Sequence, residues 1–435
     1  MAIPTIADMG TKMALTLTNA RLINPETGTD EIGTIRIEDG LITDISPTLD
    51  PKGIDCKGHC LAPGIIDIGV KVSEPGERQK ESFRTAGIAA AAGGVTTIVT
   101  RPDTDPPIDT PELLAFQTRR ANTDSLVRVL PMACLTKARA GKEMTEIGFL
   151  KDASAVAFTD ADRPVQDNKV LTRALSYAAS MDALVIGHAQ DANLSAGAAV
   201  TSGAFATKLG LPAVSPIAER IQIDRDLALV EATGVRYHID QITTAEGLNA
   251  LKTGRRAEMK LTSGTSVHHL TLNEFDVGDY RTFFKLKPPL RSEDDRLAMV
   301  AALVDGDIDI ISSMHTPQDE ESKRLPFEEA ASGAVALETL LPATLRLFHE
   351  GQITLPQLFK ALSLNPANLL GLPQGRLKPG APADLILFDP NHPFQLDRAK
   401  LRSKSKNTPF DLARMQGKIL KTYLGGQEIY DESAS

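Results

Sequence analysis

The feature that most constrains the fold of this chain is an alternation of short apolar runs with amphipathic helical stretches between Pro63 and Gly371. Runs with the length and β-branched content of buried strands occur at 64–72, 95–100, 126–135, 155–160, 183–189, 235–242, 258–263 and 308–315. Helical periodicity fills several of the gaps, as at 82–92, 168–180 and 218–232. Strands that alternate with helices in this way predict an α/β fold, a (β/α)8 TIM-like barrel. A doubly wound sheet is the alternative, but no phosphate-binding glycine motif follows the first strand.

The two ends of the chain have a different pattern. Within 14–55 and 383–430, apolar and polar residues alternate with period two, which is typical of half-buried strands. Neither end has enough strands to close a core easily by itself. We therefore expect residues 14–61 and 376–433 to combine into a small composite β-sandwich domain, with residues 62–375 forming the barrel and residues 1–13 a flexible tail.

Composition excludes several classes of protein. The chain has 47 basic and 56 acidic residues, a net charge of −9, and no basic cluster that would suit nucleic acid or an anionic membrane surface. No apolar run approaches the roughly 18 residues of a membrane-spanning helix, and residues 1–13 lack the pattern of a secretory signal. Three cysteines are too few for a disulfide framework. We expect a cytoplasmic protein that binds neither nucleic acid nor membrane.

The chemistry of a (β/α)8 barrel is carried by residues at the carboxyl ends of its strands. Here those ends are 69–73, 101–104, 159–162, 188–191, 238–244 and 314–318. Seven phrases at and around them resemble the dihydroorotase family: APGIIDIGVKVSEPG, AAAAGGVTTIVTRPDTDPPID, GHAQDANL, PPLRSEDDR, PFEEAASGAVALETLLP, GRLKPGAPADLILFDP and SKSKNTPF. The resemblance implies an amidohydrolase-type barrel with a composite β-domain, and an enzyme that uses zinc to interconvert carbamoyl aspartate and dihydroorotate.

The resemblance also implies where the metal ligands should be, and most of them are missing. The six positions, called the ligand positions below, are occupied by Gly69, Lys71, Ala161, His188, Gln241 and Met314. Only His188 keeps a family ligand, and Met314 replaces the Asp that binds metal and transfers the proton. We therefore expect no catalytic residues, no bound metal and no cofactor.

The positions that contact substrate in the family have changed as well. They are occupied by Ser73, Asp103, Lys287 and Gln318, and are called the pocket positions below. Asp103 would repel an anionic ligand. Because these changes are concentrated in the pocket while the framework phrases persist, we interpret the chain as a non-catalytic homologue.

Other readings of the same residues compete with this one. We expect His188 to be a buried, hydrogen-bonded remnant rather than a ligand. Lys71 could be a nucleophile or base, but we favour an ion pair with Asp103 or Asp160. Asp160 and Asp162 could act as an acid and base, although residues in such turns more often cap the backbone or lie in solvent.

Three further groups have a structural alternative. Among His238, His268, His269 and His315, the two adjacent histidines would point to opposite faces of a strand, which argues against a relocated metal site. Cys56 and Cys60, with His59 between them, lack a fourth zinc ligand. Residues 403–407 (SKSKN) are expected to form a solvated loop rather than a phosphate site.

The leading hypothesis is a structural or regulatory protein of pyrimidine biosynthesis. By resemblance, its partner is aspartate carbamoyltransferase, and family habit favours a homo-oligomer. One alternative is an active dihydroorotase with an unusual set of metal ligands. Another is a metal-free sensor in which Lys71 and Lys287 receive the carboxylate of a small ligand.

Overall fold

The computed structural model describes residues 14–256 and 259–434, so the expected tail at residues 1–13 lies outside the described part. The described residues form an α/β structure with one eight-stranded mixed sheet and three parallel sheets of four, three and two strands. Within these residues, no helix is long and apolar enough to cross a membrane.

The strands, in chain order, are β1 (Ala14–Asn24), β2 (Thr29–Glu38), β3 (Leu41–Ser46), β4 (Ile54–Asp55), β5 (Cys60–Pro63), β6 (Ile65–Val70), β7 (Val95–Thr100), β8 (Arg128–Pro131), β9 (Leu184–Gly187), β10 (Val200–Thr201), β11 (Ala213–Val214), β12 (Arg236–Ile239), β13 (Leu261–Ser266), β14 (Ile310–Ser312), β15 (Leu385–Gln395), β16 (Arg414–Leu424) and β17 (Gln427–Asp431). The helices are α1 (Phe83–Ala92), α2 (Pro111–Asp124), α3 (Ile147–Asp152), α4 (Asn168–Ser180), α5 (Ala204–Leu209), α6 (Ile217–Thr233), α7 (Ala245–Arg256), α8 (Val267–Thr271), α9 (Glu293–Asp305), α10 (Glu320–Lys323), α11 (Leu340–His349), α12 (Leu355–Phe359) and α13 (Asn365–Leu370). The chain also has single turns of 3-10 helix and a π-helical turn at 360–364.

Two parallel sheets occupy the middle of the chain. One has the order β6-β7-β8 and the other the order β14-β13-β12-β9. Phe158, in the predicted strand 155–160, bridges the two sheets by single β-bridges to Ala133 and Val185. On the opposite side, the backbone N–H of Lys71 donates to the carbonyl of His315 at 2.8 Å. The two parallel sheets therefore meet on both sides, at Phe158 and at the Lys71–His315 hydrogen bond, with the strand ladder interrupted at each join.

The strands of these sheets form where the sequence places consecutive apolar and β-branched residues. Every residue of β6 and β7 is buried, as expected for parallel strands covered on both faces. The helices between them begin at polar caps: Ser82 and Thr85 form a capping box at α1, and Asp167 accepts two backbone N–H groups at α4. Parallel strands bring their carboxyl ends to one edge, called the carboxyl edge below.

The chain ends meet in one mixed sheet with the order β17-β16-β15-β5-β1-β2-β3, with β4 paired to β1. Strand β5 lies at its centre, parallel to β1 and antiparallel to β15, and leads directly into β6. The expectation that both ends contribute to one β-structure agrees with this sheet. The strands lie in a single sheet, so a two-layer sandwich is not confirmed.

Candidate functional site

Three of the ligand positions carry an unusual backbone at the carboxyl edge. Gly69 has φ +92°, Ala161 has φ +52° and Met314 has φ +47°. Positive φ is uncommon for residues other than glycine and is concentrated at functional sites, where the surrounding structure holds it in place. The edge therefore has the backbone of an active site, although the side chains there have no metal-binding donor.

The side chain of Met314 fills the space beside Gly69. A β-carbon built on Gly69 would be 2.8 Å from the Met314 sulfur and 3.3 Å from its terminal methyl group. Met314 is 8 % exposed, so this thioether is part of the packed interior. The volume where the family places a ligand on β6 is thus occupied by an apolar group.

Arg101, the residue after β7, brings a largely buried positive charge to the same edge. Its guanidinium binds the Asp103 carboxylate through two bonds, at 2.6 and 3.1 Å. Burial lowers the pKa of Arg101, but the carboxylates of Asp103 and Asp162 raise it by more, so the group stays charged. Sequence reasoning included Arg101 among the strand ends and did not identify it as a site residue.

Lys71 lies beside this pair. Its ammonium is 3.3 Å from Asp103 and 3.9 Å from Glu77, so the predicted pairing with Asp103 is observed. Asp103 is buried, which raises its pKa, but Arg101 and Lys71 lower that pKa by more. The carboxylate at this pocket position is therefore already neutralised by two cations of the same chain.

A second group of ion pairs at the carboxyl edge is centred on Asp162. Asp162 pairs with Arg139, and its carboxylate also lies 3.0 Å from the Lys287 ammonium. Burial raises the pKa of Asp162, but Lys287, Arg101 and Arg139 lower it far below its usual range. Lys287, expected as a carboxylate receiver, thus already binds a carboxylate of this chain.

The remaining ligand and pocket positions are buried polar groups. His188 is 3 % exposed, and its Nε2 has no hydrogen-bond partner among residues 14–256 and 259–434. Burial, with Lys287 nearby, lowers the pKa of His188 to about 3, so the ring is neutral. His188 is buried as predicted, but the hydrogen bond expected at its ring is not seen at Nε2. Gln241 is also buried.

Ser73 and Gln318 each leave one polar atom unsatisfied within the described residues. The Ser73 hydroxyl is buried without a partner. Gln318 donates its side-chain N–H to the Ser332 carbonyl at 2.9 Å, while its Oε1 has no partner.

One small cavity lies behind this part of the edge, between the strands and helices α4 and α6. A cavity of about 20 Å³ lies among residues that include Asp160, Ala161 and His188. That volume is enough for about one water molecule.

The segment that follows β9 is attached to the edge through Arg291. This arginine is 2 % exposed and donates to the hydroxyl groups of Thr201 (3.1 Å) and Thr243 (2.9 Å). It also pairs with the buried Glu219 at 3.4 Å. Thr201 belongs to the segment 190–217, so a buried charge holds that segment to the edge.

Several alternatives from the sequence are corrected by the structure. Asp160 is a cap, since it accepts the backbone N–H groups of Leu135 and Thr136, but it is buried and not solvated. His268 and His269 lie on helix α8 and not on a strand, because Ser266 caps that helix. Residues 403–407 do not form a solvated loop: Ser403, Ser405 and Asn407 are buried. The three cysteines are buried and free.

The residues at the ligand positions do not fit a metal ion. Among them only His188 has a donor of the family type, and Lys71 adds a positive charge. Across the described residues, no three or more His, Cys, Asp and Glu side chains are grouped so as to hold a metal. We therefore derive no chemical step through a metal at this edge.

Comparison with known proteins places this geometry in context. Residues 58–247 match a dihydro-orotase-like family model, and residues 330–430 match an amidohydrolase family model. The dihydroorotase of Ehrlichia canis is 40 % identical over 421 residues, covering 95 % of this chain and 94 % of the relative. The dihydroorotase of a Wolbachia from Drosophila simulans is 39 % identical over 423 residues, covering 96 % of each. The fold resembles L-hydantoinase from Arthrobacter aurescens, with a TM-score of 0.86, 23 % identity and 96 % of each chain covered.

These matches confirm an amidohydrolase-type fold and correct one expectation. From the lost donors we expected no cofactor, but dihydroorotases and hydantoinases of the amidohydrolase family are metal-dependent. Similarity to these metal-dependent relatives implies a bound metal, so the expectation of no cofactor is wrong on that evidence. By its full-length identity to dihydroorotases, this chain belongs to the dihydroorotase family of the amidohydrolase superfamily.

Proposed function

We propose that this dihydroorotase-like chain of pyrimidine metabolism is catalytically inactive and acts as a structural or regulatory partner of aspartate carbamoyltransferase. The observation that carries the proposal is the packing of Met314 against Gly69 at the carboxyl edge. Ring opening or closure of a cyclic amide needs a group that moves a proton to or from the reacting nitrogen. A thioether in a packed interior has no proton to give and no basic site to accept one.

The charges at the edge support the same proposal. Arg101 and Lys71 pair with Asp103, and Arg139 and Lys287 pair with Asp162. An anionic substrate would compete with these two carboxylates for the cations. Displacing the buried Asp103 carboxylate from Arg101 would leave that carboxylate without its two-bond partner, which weighs against substrate binding.

The proposed partner rests on the resemblance of the sequence to non-catalytic dihydroorotase homologues. A partner that binds only the folded chain stabilises the complex by mass action. We expect the chain to be cytoplasmic and to form a homo-oligomer within such an assembly.

An active dihydroorotase is the second candidate. Two observations favour it: the relatives named above are dihydroorotases, and the backbone has positive φ at Gly69, Ala161 and Met314. A small-ligand sensor is the third, favoured by the unsatisfied buried atoms of Ser73 and Gln318.

The deciding experiment measures the disappearance of dihydroorotate with the purified chain, with and without added zinc, beside an active dihydroorotase. We expect no turnover that follows the main protein peak. The matched control is the His188→Ala variant: turnover that co-elutes with the chain and is lost in this variant would establish the enzyme and overturn our proposal.

The partner is tested separately, by co-elution with aspartate carbamoyltransferase at micromolar concentration. Separate elution of the two proteins at that concentration would remove the partner role.

A further inference from the structure

A cavity of about 380 Å³ lies between the 3-10 turn Thr282–Phe284, helix α10 and the C-terminal segment. Its lining comes from 281–283, from Glu320 with 323–324, and from Arg398 with Asp411. None of these residues is a ligand or pocket position. The volume falls in the range that holds small ligands, about 300–1,000 Å³.

The lining carries more positive than negative charge. Arg324 pairs with Glu320 at 2.7 Å, and Arg398 pairs with Asp411 at 3.3 Å. The other two cations, Arg281 and Lys323, have no carboxylate partner within the described part of the chain. The cavity wall therefore has two positive charges that the chain does not balance locally.

Lys323 gives the stronger evidence for an anion site because, of these two cations, it is the buried one. It is 3 % exposed, and its ammonium donates to the carbonyls of Thr282 at 3.0 Å and Lys285 at 3.4 Å. Two carbonyl acceptors leave one of its three N–H donors for another group. Burial and the neighbouring Lys285 lower the pKa of Lys323 to about 7. A buried cation without a counter-ion is unfavourable, and an anion in the cavity would relieve that penalty.

Aromatic rings lie against two of the arginines of this wall, Arg281 and Arg398. The Arg281 guanidinium lies 4.3 Å from the centre of the Phe284 ring. The Arg398 guanidinium lies 5.0 Å from the centre of the Phe283 ring. A ring orients a guanidinium through its face and leaves the N–H groups at its rim able to donate. The donors of Arg281 are consequently available to a ligand.

We propose that this cavity binds the phosphate group of a small organic phosphate, between Arg281 and Lys323. A phosphate monoester dianion matches the two unbalanced positive charges. Its oxygens accept the paired N–H groups of a guanidinium together with the point charge of an ammonium. The rest of the cavity accommodates the organic part beside Phe283.

The test is calorimetric titration of the full chain with ribose 5-phosphate, inorganic phosphate, ribose and succinate, in a buffer free of phosphate. We expect both phosphates to bind and ribose not to bind. Succinate should bind at least tenfold more weakly than ribose 5-phosphate. Binding of ribose 5-phosphate should weaken at least tenfold in Arg281→Gln and in Lys323→Met. Arg36→Gln, on the terminal sheet, is the control and should bind as the unchanged chain does.

Two sets of results would overturn the site. One is no phosphate binding, or equal binding of ribose and ribose 5-phosphate. The other is unchanged affinity for ribose 5-phosphate in Arg281→Gln. Because the Arg281 side chain is exposed, we expect this variant to fold normally. If succinate binds as tightly as the phosphates, the site is a general anion site and the phosphate assignment is wrong. None of these results bears on dihydroorotate turnover, since the two sites share no residue.

Discussion

The sulfur of Met314 lies 2.8 Å from the point where a β-carbon of Gly69 would be, so the two residues occupy one volume between β6 and the end of β14. In the family, these positions hold two metal ligands. Here a residue with no side chain makes room for a long apolar one. The two residues are sterically linked, because a side chain at position 69 would meet the thioether of Met314.

Replacing Gly69 with Ala tests this link. The new methyl group meets the Met314 sulfur, and alanine is strained at φ +92°. We expect the free energy of unfolding, measured by urea denaturation, to fall by about 2–4 kcal/mol.

The control for backbone strain alone is Gly28→Ala. Gly28 also has positive φ, +75°, but nothing lies within 4 Å of its β-carbon position. This variant should lose only about 1 kcal/mol. Adding Met314→Ala to Gly69→Ala should reduce the cost of the latter by at least about 1 kcal/mol, as coupled neighbours do. Additive effects of the two substitutions would show that the contact is unimportant.

Arg101→Met tests the buried cation. Removing it leaves the carboxylate of Asp103 with Lys71 alone in a poorly hydrated site. We expect a loss of about 3–5 kcal/mol in the free energy of unfolding.

Arg101→Lys should recover part of this loss, since it keeps the charge without the two-bond geometry. Arg220, which forms an exposed pair with Glu246, provides the matched control. Its replacement by Met should cost no more than about 1 kcal/mol. Equal losses for Arg101→Met and Arg220→Met would mean that the edge does not depend on its internal cation.

Glu81→Gln tests the attachment of the C-terminal segment to the carboxyl edge. Glu81 is fully buried, accepts hydrogen bonds from Ser403 and from the Lys404 N–H, and lies 3.5 Å from His315. Burial raises the pKa of Glu81, but His315 lowers it by more, so the carboxylate is charged. An amide weakens these bonds, and we expect a loss of about 2–3 kcal/mol. Trypsin should then cleave after Lys404 faster than in the unchanged chain. An unchanged cleavage rate would show that Glu81 does not hold this segment in place.

Lys323 predicts a pH dependence of stability. Its pKa is lowered from 10.5 to about 7 by burial and by Lys285, while Arg281, Arg324 and Glu320 also line its cavity. Between about pH 7 and pH 10 the unfolded chain binds more protons at Lys323 than the folded chain does. The free energy of unfolding should therefore rise with pH in this window, by at most about 5 kcal/mol at 1.36 kcal/mol per pKa unit.

The measurement compares urea denaturation of the unchanged chain and of Lys323→Met at several pH values, without phosphate. The difference between the two isolates Lys323 from the other lysines. The variant should lack the rise above pH 7 and should be the more stable of the two at pH 7. Parallel curves would mean that the lysine is not strained by burial.

Some of the site could be predicted from the sequence because it depends on neighbouring strands. Lys71 and Asp103 follow β6 and β7, which are adjacent in a parallel sheet, so their pairing needed no knowledge of distant elements. Arg101 was missed because the comparison covered only the family's ligand positions and pocket positions. An arginine directly after the apolar strand run 95–100 was the available signal.

Other expectations failed where a polar side chain satisfies backbone groups, through distant contacts in one case and through a local helix cap in the other. The charges of SKSKN indicate a solvated loop, yet the Asn407 side chain donates to the carbonyls of Thr316 and Gly333. The adjacent histidines 268 and 269 were placed on a strand, whereas the Ser266 hydroxyl begins a helix there. In both cases a polar side chain satisfies backbone groups that local patterns do not reveal.

The sequence by itself determined the fold class, the family and the loss of donors at five ligand positions. Each of these depends on which side chains are present and on their order along the chain. Only the tertiary structure decided which charges neutralise one another, as Lys287 and Asp162 do across 125 residues. The physical reason is that electrostatic energy depends on the distance between charges and on their exposure to water, and both are set when the whole chain has packed.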